Sequence, residues 1–85
     1  MASYKLLIKR SAAKELEAVS QKERGRIVAR IEALAANPRP PGCEKLSGEE
    51  KYRVRQGDYR VGYGIDDGKK EIPVVKIGHR RDVYR

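Results

Sequence analysis

The sequence predicts an α+β domain in which two N-terminal helices, forming a helical hairpin, pack on a small, mostly antiparallel sheet in the order β-α-α-β-β-β. Three observations predict it. Residues 11–19 and 20–36 carry apolar side chains at helical spacing. Residues 51–65 hold two alternating runs around a Gly-Asp pair, the pattern of a tight hairpin. Helical and alternating stretches are segregated along the chain, which suits helices gathered on one face of a sheet. At 85 residues there is room for one domain, spanning 1–85.

Each element has its own warrant. Tyr4–Ile8 is a short apolar run bounded by Lys9 and Arg10, and reads as the first strand. Ser11 is placed to cap a helix whose apolar face is Ala12, Ala13, Leu16 and Val19. Ser20 and Glu23 form a capping box that starts a second helix, with the stripe Ile27, Val28, Ile31, Leu34 and Ala35. Gly25 in its first turn costs up to ~1 kcal/mol relative to Ala. Asn37-Pro38 ends that helix. Asn37–Gly48 holds three of the four prolines and reads as a loop that crosses from helices to sheet. Lys51–Gln56 and Tyr59–Ile65 form the hairpin, turning at Gly57-Asp58. Asp66–Lys69 is the next turn, and Glu71–Ile77 the last strand. Pro73 predicts a bulge or an edge position there. Gly78–Arg85 is the tail.

Charge narrows the function. Lys and Arg number 20 against 12 Asp and Glu, a formal net charge of +8. That balance predicts a polyanionic partner, nucleic acid or an acidic protein. Neither helix pairs a fully apolar face with a basic one, which argues against a membrane surface. No run of 18 or more apolar residues is present, and the apolar stretch Leu6–Ile8 is too short for a signal peptide. One Cys, Cys43, and one His, His79, leave no internal disulfide and no Cys/His zinc site. The expectation is a cytoplasmic chain without metal or other cofactor.

The hairpin carries the chemistry. A two-residue turn sets Gln56 opposite Tyr59, Val54 opposite Val61, Arg55 opposite Arg60 and Arg53 opposite Gly62. The two valines define the core face, so the other face carries Arg53, Arg55 and Arg60 beside Gly62 and Gly64. Arg55 facing Arg60 opposes like charges across a ladder, which folding alone does not favour. Glycine lets another backbone approach, so a glycine floor walled by arginine suits a phosphodiester chain. The tail adds His79, Arg80, Arg81 and Tyr84. Guanidinium binds phosphate and an aromatic ring stacks on a base. The same groups suit RNA cleavage without metal. That reaction needs a 2′-hydroxyl deprotonated, phosphorane charge stabilised and the 5′-oxygen protonated. Arginine stabilises charge but is a poor base. Tyr84 serves as a base only if cations favour its phenolate, and His79 alone titrates near neutrality unperturbed. Tyr4, Tyr52, Tyr59 and Tyr63 are assigned to packing, and Glu44, Glu49 and Glu50 to solvent.

The whole chain resembles the RelE/ParE superfamily of toxins from type II toxin–antitoxin systems. The resemblance rests on AAKELEAV at residues 12–19, NPRPPGCEKLSG at 37–48, YRVRQGDYRVGYGI at 52–65 and GHRRDVYR at 78–85, in that order and spacing. It implies a RelE-like fold. For the RelE branch it implies a ribosome-dependent, metal-independent endoribonuclease that cuts mRNA in the A site and inhibits translation. The implied partners are a cognate acidic antitoxin, the ribosome and mRNA, with no membrane. The implied catalytic set is Arg53, Arg55, Arg60, Arg80 and Tyr84, with His79 as a further candidate. The RNA-binding set is Arg53, Arg55, Arg60, Gly62, Arg80 and Arg81. Arginine at 53 and 55, where the best-known member of the family has lysine, makes a base there less plausible. The alternative is a ParE-like, non-enzymatic inhibitor of DNA gyrase.

Overall fold

The computed structural model describes residues 3–46 and 51–79. The elements are β1 (Lys5–Ile8), α1 (Arg10–Glu17), α2 (Gln21–Ala36), β2 (Glu44–Lys45), β3 (Lys51–Gln56), β4 (Tyr59–Gly64) and β5 (Glu71–His79). The strands form one five-stranded sheet in the order β1-β5-β4-β3-β2. β1 pairs with β5 in parallel, and the other three pairings are antiparallel. The expected order is therefore corrected by one strand. The segment expected to be loop contains β2, two residues long, because Glu44 and Lys45 line up against Arg53 and Tyr52.

One face of the sheet is the core. Ala12, Ile27, Ile31 and Leu34 of the helices meet Tyr52, Val54, Val61, Tyr63, Ile72, Val74 and Ile77 of the strands, all buried. Period-2 alternation supplies one side of each strand and the helical stripes supply the lid. α1 lies along β5, while α2 reaches β1, β3 and β4. Arg24 of α2 closes the gap between the helices, its Nη2 donating to the Val19 carbonyl at 3.1 Å and the Glu17 carbonyl at 3.4 Å. The Glu17 carbonyl is an orphan of the end of α1, and a cation suits that end.

The helix starts differ from expectation. α1 begins at Arg10 with Lys9 at its cap, so Ser11 sits inside the first turn. Strand pairing sets that corner, since the Lys9 N–H donates to the Val74 carbonyl at 2.9 Å while the Lys9 carbonyl accepts from Ala13. Ser20 does precede α2, but its side chain makes no cap bond. Glu23 turns to Arg26 at 3.3 Å.

The hairpin follows the predicted register at every pair from Arg53↔Gly62 to Gln56↔Tyr59. Gly57 has φ +60 and no positive φ is found at Asp58, which fits a two-residue turn with glycine first. Of the bulge or edge position expected at Pro73, the sheet has the bulge. Pro73 sits on β5, an interior strand, opposite Leu7. The register shift comes beyond it, where Gly62 faces Lys76 and Tyr63 faces Val74, so Val75 is the extra residue. Proline has no N–H to give β4, and no ladder pair joins it to Gly64.

The loop after α2 is pinned by polar contacts. The Tyr63 hydroxyl, buried, donates to the Pro38 carbonyl at 2.6 Å. Burial pushes that phenol well above the ordinary tyrosine range. Arg39 donates to Asp67 at 3.1 Å and to the Tyr52 hydroxyl at 3.3 Å. Asp67 also accepts from the Tyr4 hydroxyl at 2.6 Å. Tyr4 and Tyr59 pack partly buried against the core, while Tyr52 and Tyr63 lie within it.

Candidate nucleic-acid interface

The face of the hairpin turned away from the helices is built by alternation alone. Val54 and Val61 point into the core, so their neighbours Arg53, Arg55, Arg60 and Gly62 share the opposite face. The three arginines are brought together there as the sequence predicts, with Arg55 directly across from Arg60.

Each has a different environment. Arg53 is half-buried, and its Nε and Nη2 hold the two oxygens of Glu44 at 3.1 and 3.4 Å. Arg55 is exposed and curls back so that its Nε donates to the Gly57 carbonyl at 3.1 Å. That bend carries its charge toward the hairpin tip, which answers the like-charge pairing. Arg60 is half-buried and its side chain makes no hydrogen bond among the described residues. It is close enough to Glu44 to help hold that carboxyl ionised.

Glu44, assigned to solvent from its sequence context, belongs to this face. The Arg53 guanidinium beside it holds its carboxyl below the usual carboxylate range, with a smaller pull from Arg60. The short strand β2 puts it there, directly opposite Arg53. The available signal is a Glu-Lys pair after the proline-rich loop, legible only if part of that loop is taken as an added edge strand.

Two expectations are corrected. Gly62 and Gly64 are buried, so they do not form the open floor of a groove. His79 pairs with Tyr59, on the same face as Val61 and Ile77, which is the helix side of the sheet. Its ring meets Tyr59 edge-on at 5.8 Å. There it borders a cleft of about 430 Å³ with Glu15, Val19, Tyr59 and Ile77. It is therefore not gathered with Arg53, Arg55 and Arg60. Arg80, Arg81 and Tyr84 lie outside the described residues. Among the described residues, no group of three or more His, Cys, Asp or Glu is placed to hold a metal ion. No described helix is long and apolar enough to cross a membrane.

Chemically, the face offers fixed cations around one ionised carboxylate. Arg60 is open to an incoming anion, Arg55 is half-committed to backbone, and Arg53 is committed to Glu44. Planar guanidinium groups recognise phosphate oxygens in pairs, which a lysine cannot do.

Comparison with known proteins agrees with this architecture. The family model described as the ParE toxin of type II toxin–antitoxin systems, parDE, matches residues 6–84. The toxin RelE of Mycobacterium tuberculosis (strain ATCC 25618 / H37Rv) is 32% identical over 84 residues, covering 96% of this chain and 87% of that protein. The RelE–RelB complex of Pyrococcus horikoshii OT3 contains a chain that is similar with a TM-score of 0.84 and 28% identity, over 95% of this chain and 99% of that one. The isolated E. coli RelE toxin shares the fold with a TM-score of 0.80 at 24% identity, over 91% of this chain and 84% of that one.

Proposed function

We propose, from the premise that this chain belongs to the ParE toxin family of type II toxin–antitoxin systems, that its arginine face cuts messenger RNA on the ribosome. The chain is a RelE-like toxin; the cleavage and the ribosome are our reading. The observation that carries it is the gathering of Arg53, Arg55 and Arg60 on one face, with Arg55 opposite Arg60. Folding does not favour opposed like charges, whereas a phosphate bound on this face draws on both.

The reaction this set supports is attack of a ribose 2′-oxygen on the adjacent phosphorus. The 2′-hydroxyl gives up its proton, the bond to the 5′-oxygen breaks, and that oxygen takes a proton as it leaves. The products are a 2′,3′-cyclic phosphate and a 5′-hydroxyl. Arg60 and Arg55 stabilise the charge that develops on the phosphate oxygens, a contribution typically worth ~3–4 kcal/mol for one such donor. Arginine does not act as the base. Glu44 is ionised beside Arg53 and is the proton acceptor we assign on this face, while Tyr84, by resemblance, stacks on a base or carries the second proton. His79 has no part in this scheme. By resemblance Arg80 is the tail arginine of the phosphate-binding set, and Arg81 adds positive charge next to it in sequence. The ribosome supplies the mRNA in a fixed geometry, which suits a protein that brings charge rather than a deep substrate pocket.

The proposed protein partner is a cognate antitoxin, as in the RelE–RelB complex of Pyrococcus horikoshii OT3. An excess of eight positive charges favours an acidic segment laid over the arginine face.

The test is primer extension on mRNA translated by ribosomes with and without the purified chain, beside a gyrase supercoiling assay. New 5′ ends that appear only with ribosomes support the reading. Inhibited supercoiling with intact mRNA overturns it in favour of gyrase.

A further inference from the structure

The last strand loses its neighbour halfway along. β1 accompanies β5 only as far as Val74, and the final bond is Lys9 N–H to the Val74 carbonyl at 2.9 Å. The chain then turns away into α1, yet β5 continues as strand to His79. An N–H on that abandoned side normally faces water or another strand. At Ile77 it faces neither. Glu15 of α1 accepts it through Oε1 at 3.0 Å. The other oxygen, Oε2, is 2.7 Å from the Lys76 ammonium. The side chain of Glu15 is 29% exposed, and Ala12, fully buried one turn earlier, seats its helix face against the sheet.

Beyond Ile77, the backbone of β5 serves the arginine face. Gly78 pairs with Arg60, and His79 pairs with Tyr59. Just before Ile77, the ladder carries the irregularity at Val75. This part of β5 therefore lies between a bulge and the end of the strand, with β4 on one side only. We propose that Glu15 is a positioning residue: by standing in for the missing strand at Ile77 it fixes the register of Gly78 against Arg60. The catalytic half of this inference rests on the function proposed above. The carboxylate acts as a backbone acceptor first and as a partner for Lys76 second.

The two roles separate by substitution in the full chain. Glu15→Gln keeps an acceptor oxygen and loses the charge. Lys76→Met removes the ion pair and leaves the Ile77 bond. Glu15→Ala removes both. Amide hydrogen exchange reads the local bond without reference to activity. In Glu15→Ala the Ile77 amide is expected to exchange at least about 10-fold faster, while Val54 and Val61 stay within about threefold of wild type. In Glu15→Gln and Lys76→Met the Ile77 amide stays close to wild type. In ribosome-dependent cleavage, Glu15→Ala is expected to lose about 10- to 100-fold in kcat with KM unchanged, the pattern of misplacement rather than lost binding. Glu15→Gln restores most of it.

Four outcomes overturn the inference. They are unchanged exchange at Ile77 in Glu15→Ala, equal acceleration at every amide, Glu15→Gln as impaired as Glu15→Ala, and faster exchange at Ile77 with cleavage intact. Should Glu15→Ala fail to fold, Glu15→Asp withdraws the acceptor by one methylene and is read the same way. A wild-type chain that cleaves nothing overturns the proposed function and the catalytic half together, while the exchange data still decide whether Glu15 holds Ile77.

Discussion

Arg60 and Glu44 are the two side chains on which the proposed chemistry of this face turns. The Arg60 side chain makes no hydrogen bond among the described residues and faces a like charge, so its replacement costs the fold little. Arg60→Gln is expected to melt at the wild-type temperature or slightly higher, because the cross-strand repulsion disappears. The same variant is expected to lose about 10²–10³ in cleavage rate, the scale of one lost charge-stabilising donor. A melting curve and a cleavage assay on one preparation read both. Glu44→Gln separates base from scaffold. If Glu44 takes the 2′-hydroxyl proton, cleavage falls about 10²–10⁴-fold with ribosome binding unchanged. A fall in binding with the same turnover assigns Glu44 to holding Arg53 instead. Arg53, Arg55 and Arg60 are legible in the sequence because strand alternation and a two-residue turn leave no freedom in which residues share a face. Glu44 is not, since a two-residue strand has no periodicity to detect. His79 stands apart from the arginines. Its type suggests chemistry, while its parity along β5 puts it with Tyr59 and Ile77.

At the scale of elements, the glycines divide cleanly. Gly57 sits at φ +60, and a Cβ there would meet Glu23 Oε2 at 3.1 Å. Gly57→Ala is expected to destabilise by about 1–2 kcal/mol, the cost of a left-handed conformation for an L residue. Gly25 lies exposed in α2, with nothing within 4 Å of an added Cβ. Gly25→Ala is expected to stabilise by about 0.5–1 kcal/mol. Denaturant midpoints for the pair check both signs. The hairpin, both helices and the end of α2 at Asn37 are readable from local chemistry alone. The start of α1 is not, because Lys9 is fixed by its bond to Val74, far along the chain. Pro73 marks the bulge of β5 correctly, but local reasoning does not place it at Val75. Proline is barred from a ladder only where its missing N–H would pair, and the break opposite Gly64 accommodates it inside the sheet.

Across the whole molecule, acid should loosen the ties between distant segments. Asp67 joins Tyr4 near the start of the chain to Arg39 after the helices. The Tyr4 hydroxyl, and then Arg39, hold its carboxyl below the ordinary range. A depressed carboxylate contributes stability that is fully present above its unfolded value, about pH 4, and that is lost as pH falls through the folded value. Asp67→Asn is therefore expected to melt below wild type at pH 7, with the gap closing in acid. A series of melts from pH 7 downward measures it, and a gap constant with pH would remove the carboxylate from the account. Sheet order has a further consequence, in time rather than in energy. The strand made last lies between the strand made first and the strand made just before it. While the chain is being synthesised, β1 has no partner to wait beside, and the hairpin of β3 and β4 lacks the strand that joins it to the rest. Assembly of the sheet is thus deferred until β5 has been made. A toxin built in this order stays unfinished until that strand is in place between its two neighbours.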